Sequence, residues 1–588
     1  MMSLKMSRRE LLQKSLASFG ALSLPISLTA CGGDSDNGMQ SDSVKADFLH
    51  GVASGDPLKD KVILWTRLTP NDVSLRLEVI WEIALDQKFT QLVNFGKVQT
   101  AQAQDFTVKV DANKLRSNQR YYYRFRYGNV ISPIGQTKTL PETSNTVSFA
   151  VCSCSNYPAG YFHVYQEIAK QDVDVVIHLG DYIYEYGKDG YATEDAAKLG
   201  RELALDNNKE MITLDDYRKR YALYRKDVDL QTVHQRHPFI VIWDDHELAN
   251  DTWKDGAENH TEEVGSNKNE GKFIERKIAA LQAYFEWMPI RPVLDNDHLN
   301  IYRQFNFGTL VQLTMLDTRV LARDRQLDYA DYMTAQGMNF QRFQEDLNHP
   351  MRTLMGGTQL QWLQTQLEQS TATWNVLGQQ VLMSKMLIPA ELLLPLSQID
   401  VVALNQKIPE LVTLKMRALQ GDPSLTEIEK ARLTLVAPYN LDAWDGYAAE
   451  REALYATLRK VDKKVVVLAG DTHNAWASDL YNQSGAHVGL ELATSSVSSP
   501  GLEKYLNIPL AQLQQFELAF RTLIDELNYC NLNQRGYLTV HFTAQQMQAN
   551  WVFVNTIKDR QYTVDHDRAY QVLVDSMLND IKAEPKIA

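Results

Sequence analysis

Cys154, the run Gly180-Asp181-Tyr182-Ile183-Tyr184-Glu185 and the run Gly470-Asp471-Thr472-His473 supply a thiol, a phenol, carboxylates and an imidazole. Those are the side chains that hold metal ions. Thiolate and phenolate suit a transition metal, whereas carboxylate and amide oxygens suit a hard cation such as calcium. A fourth tract, Asp244-Asp245-His246-Glu247, has the same character. Each tract follows a short apolar run: Val147–Val151, Val173–Ile177, Phe239–Trp243 and Lys464–Ala469. In an open α/β sheet, ligands collect beyond the carboxyl ends of the strands. Any one of these tracts alone says little, since a strand-end aspartate usually serves a turn or a helix cap. Their common placement after strands points to an open metal site and to metal-dependent hydrolysis.

The elements that must position these groups follow from hydrophobic periodicity. Further apolar runs at Leu310–Leu316 and Trp374–Leu377 alternate with helical patterns at Tyr161–Lys170, Phe273–Trp287 and Gln359–Gln369. This predicts an α/β core of sheet strands covered by helices on both faces. Before residue 146 the pattern is different. Leu75-Leu77-Val79-Trp81 and Phe106-Val108-Val110 alternate, and Tyr121, Tyr123, Phe125 and Tyr127 share one face of Arg120–Tyr127. That region predicts an antiparallel β-sandwich of immunoglobulin or fibronectin III type, with the tyrosine stripe as packing. The organisation expected is an export signal at 1–31, a flexible linker at 32–45, a β-sandwich at 46–145, a catalytic domain at 146–560 and a C-terminal helix at 561–588. The helix rests on the spacing of Tyr570, Leu573, Val574 and Leu578. Lys254–Lys272 reads as a surface loop and Leu392–Leu435 as a helical excursion.

Lys5, Arg8 and Arg9 precede an apolar stretch from Leu16 to Ala30 that is too short for a stable membrane span. Ser7-Arg8-Arg9-Glu10-Leu11-Leu12 resembles a twin-arginine export box, and Leu28-Thr29-Ala30-Cys31-Gly32-Gly33 resembles a bacterial lipobox. Export by the twin-arginine machinery to the periplasm or cell surface is the expectation, with membrane anchoring through a lipidated Cys31. Simple cleavage to a soluble periplasmic form is the alternative. Four cysteines leave an odd number after Cys31, so at least one of Cys152, Cys154 and Cys530 is expected to be free, buried or metal-bound. A net charge of −13 disfavours a nucleic-acid-binding surface.

The motifs, taken in order, resemble one family. The tracts are Cys154-Ser155-Asn156-Tyr157-Pro158-Ala159-Gly160-Tyr161-Phe162, His178-Leu179-Gly180-Asp181-Tyr182-Ile183-Tyr184-Glu185-Tyr186 and Trp243-Asp244-Asp245-His246-Glu247. Leu316-Asp317-Thr318-Arg319, Asp442-Ala443-Trp444-Asp445-Gly446-Tyr447 and Ala469-Gly470-Asp471-Thr472-His473-Asn474-Ala475-Trp476 follow. Together they resemble the PhoD-like branch, alkaline phosphatase D, of the calcineurin-like metallophosphoesterases. His50-Gly51-Val52-Ala53-Ser54-Gly55-Asp56-Pro57 and Leu64-Trp65-Thr66-Arg67 are similar to the opening of that family's N-terminal β-domain.

The resemblance implies a metallophosphoesterase-type sheet core flanked by helices, acting as an alkaline phosphatase or phosphodiesterase on phosphate mono- or diesters. It implies Fe(III) beside Ca(II). Carried over, Cys154, Tyr184 and His473 would ligate iron, Asp181 would bridge, and Asn250 and Asp471 would complete the calcium side, with Asp251 able to replace or supplement Asn250. Cys152 would be a structural thiol. His246 would hydrogen-bond the phosphoryl group or orient Asp245, and Arg276 would contact phosphate unless its charged helix simply faces solvent. Arg319 reads equally well as a salt-bridged sheet residue and is left outside the site; His178 and Trp243 read as packing. The alternatives are a phospholipase D-like diesterase on the same core, or a surface binding protein with a vestigial metal site.

Overall fold

A computed structural model describes residues 45–263, 269–293, 298–335, 337–575 and 584–587. The export signal, Cys31, most of the linker and the centre of the 254–272 loop lie outside the described residues. Among those described, no helix is long and apolar enough to cross a membrane.

Two large sheets carry the fold. The first has ten strands, and its centre is parallel: Thr146–Cys152, Val175–His178, Pro238–Val241 and Val52–Gly55 lie side by side. The second has seven strands with a parallel centre of Val311–Met315, Trp374–Gly378, Val465–Ala469 and His487–Ala493. The sheets face each other. Phe149 of the first meets Phe307 of the second at 5.1 Å, and the Trp374 indole donates to the Thr543 carbonyl at 2.8 Å. Alternation along one strand shows the layering: Val466 and Leu468 point into the shared core, while Val465, Val467 and Ala469 point to an outer core beneath helices. That outer core takes Leu454 and Leu458 of the helix Ala448–Val461 and Leu363 and Leu367 of Gly356–Gln369.

Helices were expected on both faces of the strands. Instead the Val465–Ala469 strand has helices on one face and the other sheet on its inner face. A strand packed on a sheet is as apolar as one packed under a helix, so the hydrophobic runs could not separate the two cases. The helical excursion is present as Leu393–Ser397, Val401–Leu419 and Glu427–Thr434.

The strand-rich region before residue 146 is sandwich-like. Gly135–Lys138, Arg120–Tyr127, Leu77–Ala84 and Leu92–Thr100 form one antiparallel sheet, with Val130–Ile131 paired to Arg120–Tyr127. Tyr121, Tyr123 and Phe125 are fully buried, as the stripe predicts. Its other strands, Val52–Gly55, Val62–Arg67 and Thr107–Ala112, extend the ten-stranded sheet, because Val52–Gly55 pairs in parallel with Pro238–Val241. The change at residue 145 is therefore a change of strand type within one hydrogen-bonded sheet, and the described residues from Lys45 on make one compact unit.

The expected C-terminal helix is a correction. Val564–Asp575 is a strand that pairs with Gln546–Val554, and Glu584–Ile587 pairs with it in turn. Tyr570, Val572 and Val574 are buried at alternate positions, opposite Trp551, Ala549 and Met547, and the Tyr570 ring stacks on Tyr529 at 3.6 Å. The spacing of Tyr570 and Val574 fits a helical turn and a strand face equally, and the neighbouring strand edge decided between them. This makes a prediction. Val572→Ala is expected to cost about 1–3 kcal/mol in urea unfolding, while Leu573→Ala, on the other face, costs under about 1 kcal/mol; equal costs at the two positions would contradict the strand.

Candidate metal centre

The parallel strands of both sheets end on one edge, and each end carries a functional group. From the first sheet come Cys154, Asp181 and Asp244-Asp245-His246; from the second come Arg319, Asp471 and His473. The chain reverses sharply at these ends. Cys154, Asp181, Asp251, Asp471 and His473 all take left-handed backbone angles, with φ of 61°, 56°, 51°, 63° and 61°. Non-glycine residues rarely hold that conformation, and it concentrates where a side chain must be aimed at a site. Gly180 is demanded by contact as well as by its φ of 107°, because a Cβ there would fall 2.4 Å from that of Asp244.

Three overlapping groups of donors result. Cys154, Asp181 and His473 present atoms within 4.8 Å of one another, as do Asp181, Asp245 and His246, and Asp244, Asp245 and Asp471. Asp181 belongs to the first two groups and Asp245 to the last two. Tyr184 joins the first group: its hydroxyl donates to Asp181 Oδ2 at 3.0 Å and lies 3.1 Å from His473 Nε2. The phenol also meets Ser499, whose hydroxyl donates to it at 2.6 Å. Cys152, two residues before Cys154, points into the hydrophobic core instead.

The electrostatics of this edge call for cations. Burial and the neighbouring Asp181 push both the Cys154 thiol and the Tyr184 phenol well above their ordinary ranges. Burial, reinforced by Asp245, pushes Asp244 well up; burial and Asp442 do the same for Asp251. Burial raises Asp471 to about 7. Burial opposes charge on Asp245 too, but His246 and Arg319 hold it below the usual carboxylate range. Asp181 Oδ1 and Asp244 Oδ2 are buried with no hydrogen-bond partner among the described residues. The Cys154 thiol, the Tyr184 phenol and the Asp244 and Asp471 carboxyls, kept from ionising first by burial and then by neighbouring acids, are donors that a metal ion releases. The residues therefore fit bound cations, with the soft and phenolic donors at one end and carboxylates at the other.

Two side chains hold the acids in place. Glu247 accepts the backbone N–H groups of Asp181 (3.1 Å), Tyr182 (2.6 Å) and Asp244 (2.8 Å), locking the ends of two strands together. Arg319 is fully buried and pairs with Asp244, with Asp471 at 2.7 Å and with Asp442 at 2.6 Å, while Asp245 lies 3.8 Å away. Arg319 was left outside the site on sequence grounds, and it is the fixed cation of the carboxylate end. The available signal was its position beyond the strand Val311–Met315, matching the other tracts. Gln380, after the next strand, accepts from the Thr318 hydroxyl at 2.6 Å and donates to the Trp243 carbonyl at 2.6 Å. It too had no motif to mark it.

The remaining sequence candidates are placed as follows. His246 is buried, its Nδ1 2.7 Å from Glu185 Oε2, with its ring 4.2 Å from that of Tyr184. Burial opposes its charge, but Asp245, Glu185 and Asp181 hold the imidazole protonated well above its ordinary range. Asn250 donates through its side-chain amide to Glu258 at 3.2 Å and through its backbone N–H to Glu185 at 2.8 Å. The next residue, Asp251, is the one tied to the cluster, its N–H donating to Asp245 Oδ2 at 2.7 Å. Arg276 was expected either to contact phosphate or to face solvent, and its side chain does not face solvent. Its side chain is 0% exposed, bonded to Tyr217 at 3.1 Å and Glu210 at 2.8 Å, with Glu270 at 3.7 Å. A face of the helix that looked charged and solvated is closed over by Tyr217 and Glu210, with Glu270 of the preceding loop beside them. His178 and Trp243 are packing residues, bonded to Tyr165 and Asp317.

Because Glu247 alone satisfies three N–H groups at the strand ends, Glu247→Gln is expected to loosen the cluster. Retained metal should fall about 10–100-fold in affinity, as loss of an outer partner usually does. Elemental analysis after dialysis against graded chelator measures this, and unchanged retention would show that Glu247 does not position the ligands.

Comparison with known proteins places this geometry. A family model for the PhoD-like phosphatase matches residues 149–551, and one for the N-terminal domain of PhoD-like phosphatases matches residues 33–141. The chain is 36% identical over 470 residues to "Alkaline phosphatase D" of Bacillus subtilis (strain 168), covering 77% of this chain and 70% of that protein. A solved structure titled "Structure of PhoD" superposes with a TM-score of 0.70 at 30% identity, covering 91% of this chain and 92% of the other. With its strand-end cluster, its β-domain and these matches, the chain belongs to the PhoD-like phosphatase family and is a phosphoric ester hydrolase.

Proposed function

We propose that this protein is an exported alkaline phosphatase or phosphodiesterase whose cluster holds iron(III) beside calcium. The observation that carries this reading is the chain of three donor groups linked through Asp181 and Asp245, graded from thiol and phenol at one end to carboxylates at the other. Cys154, Tyr184 and His473 would hold the iron, with Asp181 shared. Asp471 and Asp245 would face calcium, with Asn250 or the better-placed Asp251 contributing the remaining oxygen. When bound, such ions supply the positive charge that neutralises a phosphoryl group in the transition state and make water more acidic.

The protein's own side chains do the rest. His246, with Nδ1 held by Glu185, has only Nε2 left to donate to a phosphoryl or leaving-group oxygen, and the surrounding carboxylates keep it charged for that purpose. Arg319 fixes the carboxylates of Asp244 and Asp471 so that they cannot swing onto the substrate. Tyr184, bonded to Asp181 and accepting from Ser499, keeps its oxygen aimed at the shared carboxylate. Arg276 is committed to Glu210 and Glu270, so it acts by anchoring the loop before its helix and does not touch the ester.

The tracts Ser7–Leu12 and Leu28–Gly33, which resemble a twin-arginine box and a lipobox, support export through the twin-arginine machinery and residence in the periplasm or at the cell surface. A surface able to repel nucleic acid leaves small phosphate mono- or diesters as substrates.

The test sets para-nitrophenyl phosphate beside its bis ester at alkaline pH with calcium. Wild-type protein should turn over at least one, and Cys154→Ala should lose at least the ~10–100-fold that removing an outer partner of a metal costs. Retention of full activity by Cys154→Ala would remove the thiolate from the reaction. Separately, Cys31→Ser should move the protein from the membrane fraction to the soluble fraction of fractionated cells, and unchanged partition would rule out lipidation.

A further inference from the structure

Tyrosines form a row running outward from the cluster, and the reaction described above uses only the innermost. Tyr184 is buried against Asp181. Tyr191 lies beyond it, its ring 6.1 Å from that of Tyr184 and 6.0 Å from that of His473, with its hydroxyl donating to the Pro500 carbonyl at 2.6 Å. Tyr505 continues the row, its ring parallel to that of Tyr191 within 8° at 5.9 Å. Tyr186 flanks it, 6.0 Å from Tyr191 and 5.4 Å from the His246 imidazole. Exposure rises along the way, for Tyr186 and Tyr191 are half-buried and Tyr505 is 50% exposed.

A single exposed aromatic residue needs no explanation. Tyr505 differs because its position is fixed from the metal centre itself. It ends the single helical turn Leu502–Tyr505, and the first N–H of that turn, from Leu502, donates to Asn474 Oδ1 at 3.0 Å. Asn474 is the residue after His473. Gly501 lies so close to it that a Cβ would come within 2.3 Å of the Asn474 amide. Lys504 pairs with Glu194 at 3.1 Å, and Glu503 pairs with Arg535, so the turn is also tied to the loop that carries Tyr191. An aromatic surface is thus held rigidly at the edge of the charged centre, one ring from its histidine, with half of its area open to solvent.

We propose that Tyr505, backed by Tyr191, is the platform on which a planar aromatic arm of the substrate stacks, so that this enzyme favours phosphate esters of aryl or heteroaromatic alcohols over those of alkyl alcohols. This rests on the cluster being the ester-hydrolysing centre. Offset stacking on a ring already immobilised by its neighbours adds binding without a further ordering cost, and it acts on the arm and not on the phosphoryl group. Its loss belongs in KM, with kcat preserved.

The experiment compares Tyr505→Ala and Tyr505→Phe with wild type, on para-nitrophenyl phosphate and its bis ester against glycerol 2-phosphate, following phosphate or nitrophenol release. Tyr505→Ala should raise KM for the nitrophenyl esters about five- to tenfold with kcat within about twofold, and leave KM for glycerol 2-phosphate unchanged. Tyr505→Phe should match wild type on both, because the ring and not the hydroxyl does the stacking. An unchanged KM for the nitrophenyl esters in Tyr505→Ala, or an equal rise for both ester classes, overturns the proposal. If wild type loaded with iron and calcium hydrolyses neither class, the phosphohydrolase reading itself falls, and this inference with it.

Discussion

The crowding of acids withdrawn from water at the meeting edge of two sheets is the constraint around which this molecule is organised. Asp181, Asp244, Asp245, Asp251, Asp442 and Asp471 are crowded there with a buried thiol and phenol, against Arg319, Arg323 and His246 as the nearby cations. Left alone, such a group protonates or springs apart. The fold answers with rigid backing. Glu247 ties the ends of two strands, Arg319 spans four aspartates, and Gln380 links the edges of the two sheets. Left-handed backbone at five cluster residues is a further cost, tolerable because the strands Val175–His178, Pro238–Val241 and Val465–Ala469 behind them are buried at every position. The same unmet charge is what would make the centre avid for metal ions.

The site also depends on the sheets being stacked with their parallel strands ending on one side. Two of the three donor groups need both sheets: His473 of the second joins Cys154 and Asp181 of the first, and Asp471 of the second joins Asp244 and Asp245 of the first. Stability and function are coupled through that edge, since any slip between the sheets would separate donors that must lie within 4.8 Å. The β-rich N-terminal region takes part, because Val52–Gly55 extends the first sheet beside Pro238–Val241, the strand that delivers Asp244, Asp245 and His246. The C-terminal strand Val564–Asp575 extends the opposite flank of the same sheet.

The two ends of the cluster differ in how firmly they are built. At the thiol end, Tyr184, His473 and Asp181 contact one another directly and the wall behind them is closed by Ser499. At the carboxylate end Asp244, Asp245 and Asp471 lie together, and the Asp251 backbone N–H is joined to Asp245. The tyrosine row opens from the thiol end toward solvent, so the firmer half of the centre is also the half that an organic arm of the substrate would meet.

Much of this was legible in the chain. Apolar runs marked the central strands Thr146–Cys152, Val175–His178, Pro238–Val241, Val311–Met315, Trp374–Gly378 and Val465–Ala469, and the motif tracts placed Cys154, Asp181, Asp471 and His473 beyond strand ends, because a strand followed by a sharp turn aims the next side chain over the sheet edge whatever lies elsewhere. Hydrophobic pattern could not say whether a strand faced a helix or another sheet, nor whether Tyr570 and Val574 lay on a helix or a strand, because burial alone sets the pattern. Arg276 looked like a free cation and is closed in by Glu210 and Glu270, while Arg319 looked ordinary and holds Asp471, 152 residues away in sequence. Local order, turn geometry and the chemical type of each donor are properties of neighbouring residues, and the sequence by itself determined them. Which charge meets which across the two sheets was decided only by the tertiary structure, because an ion pair depends on distance in space and the chain records only distance along itself.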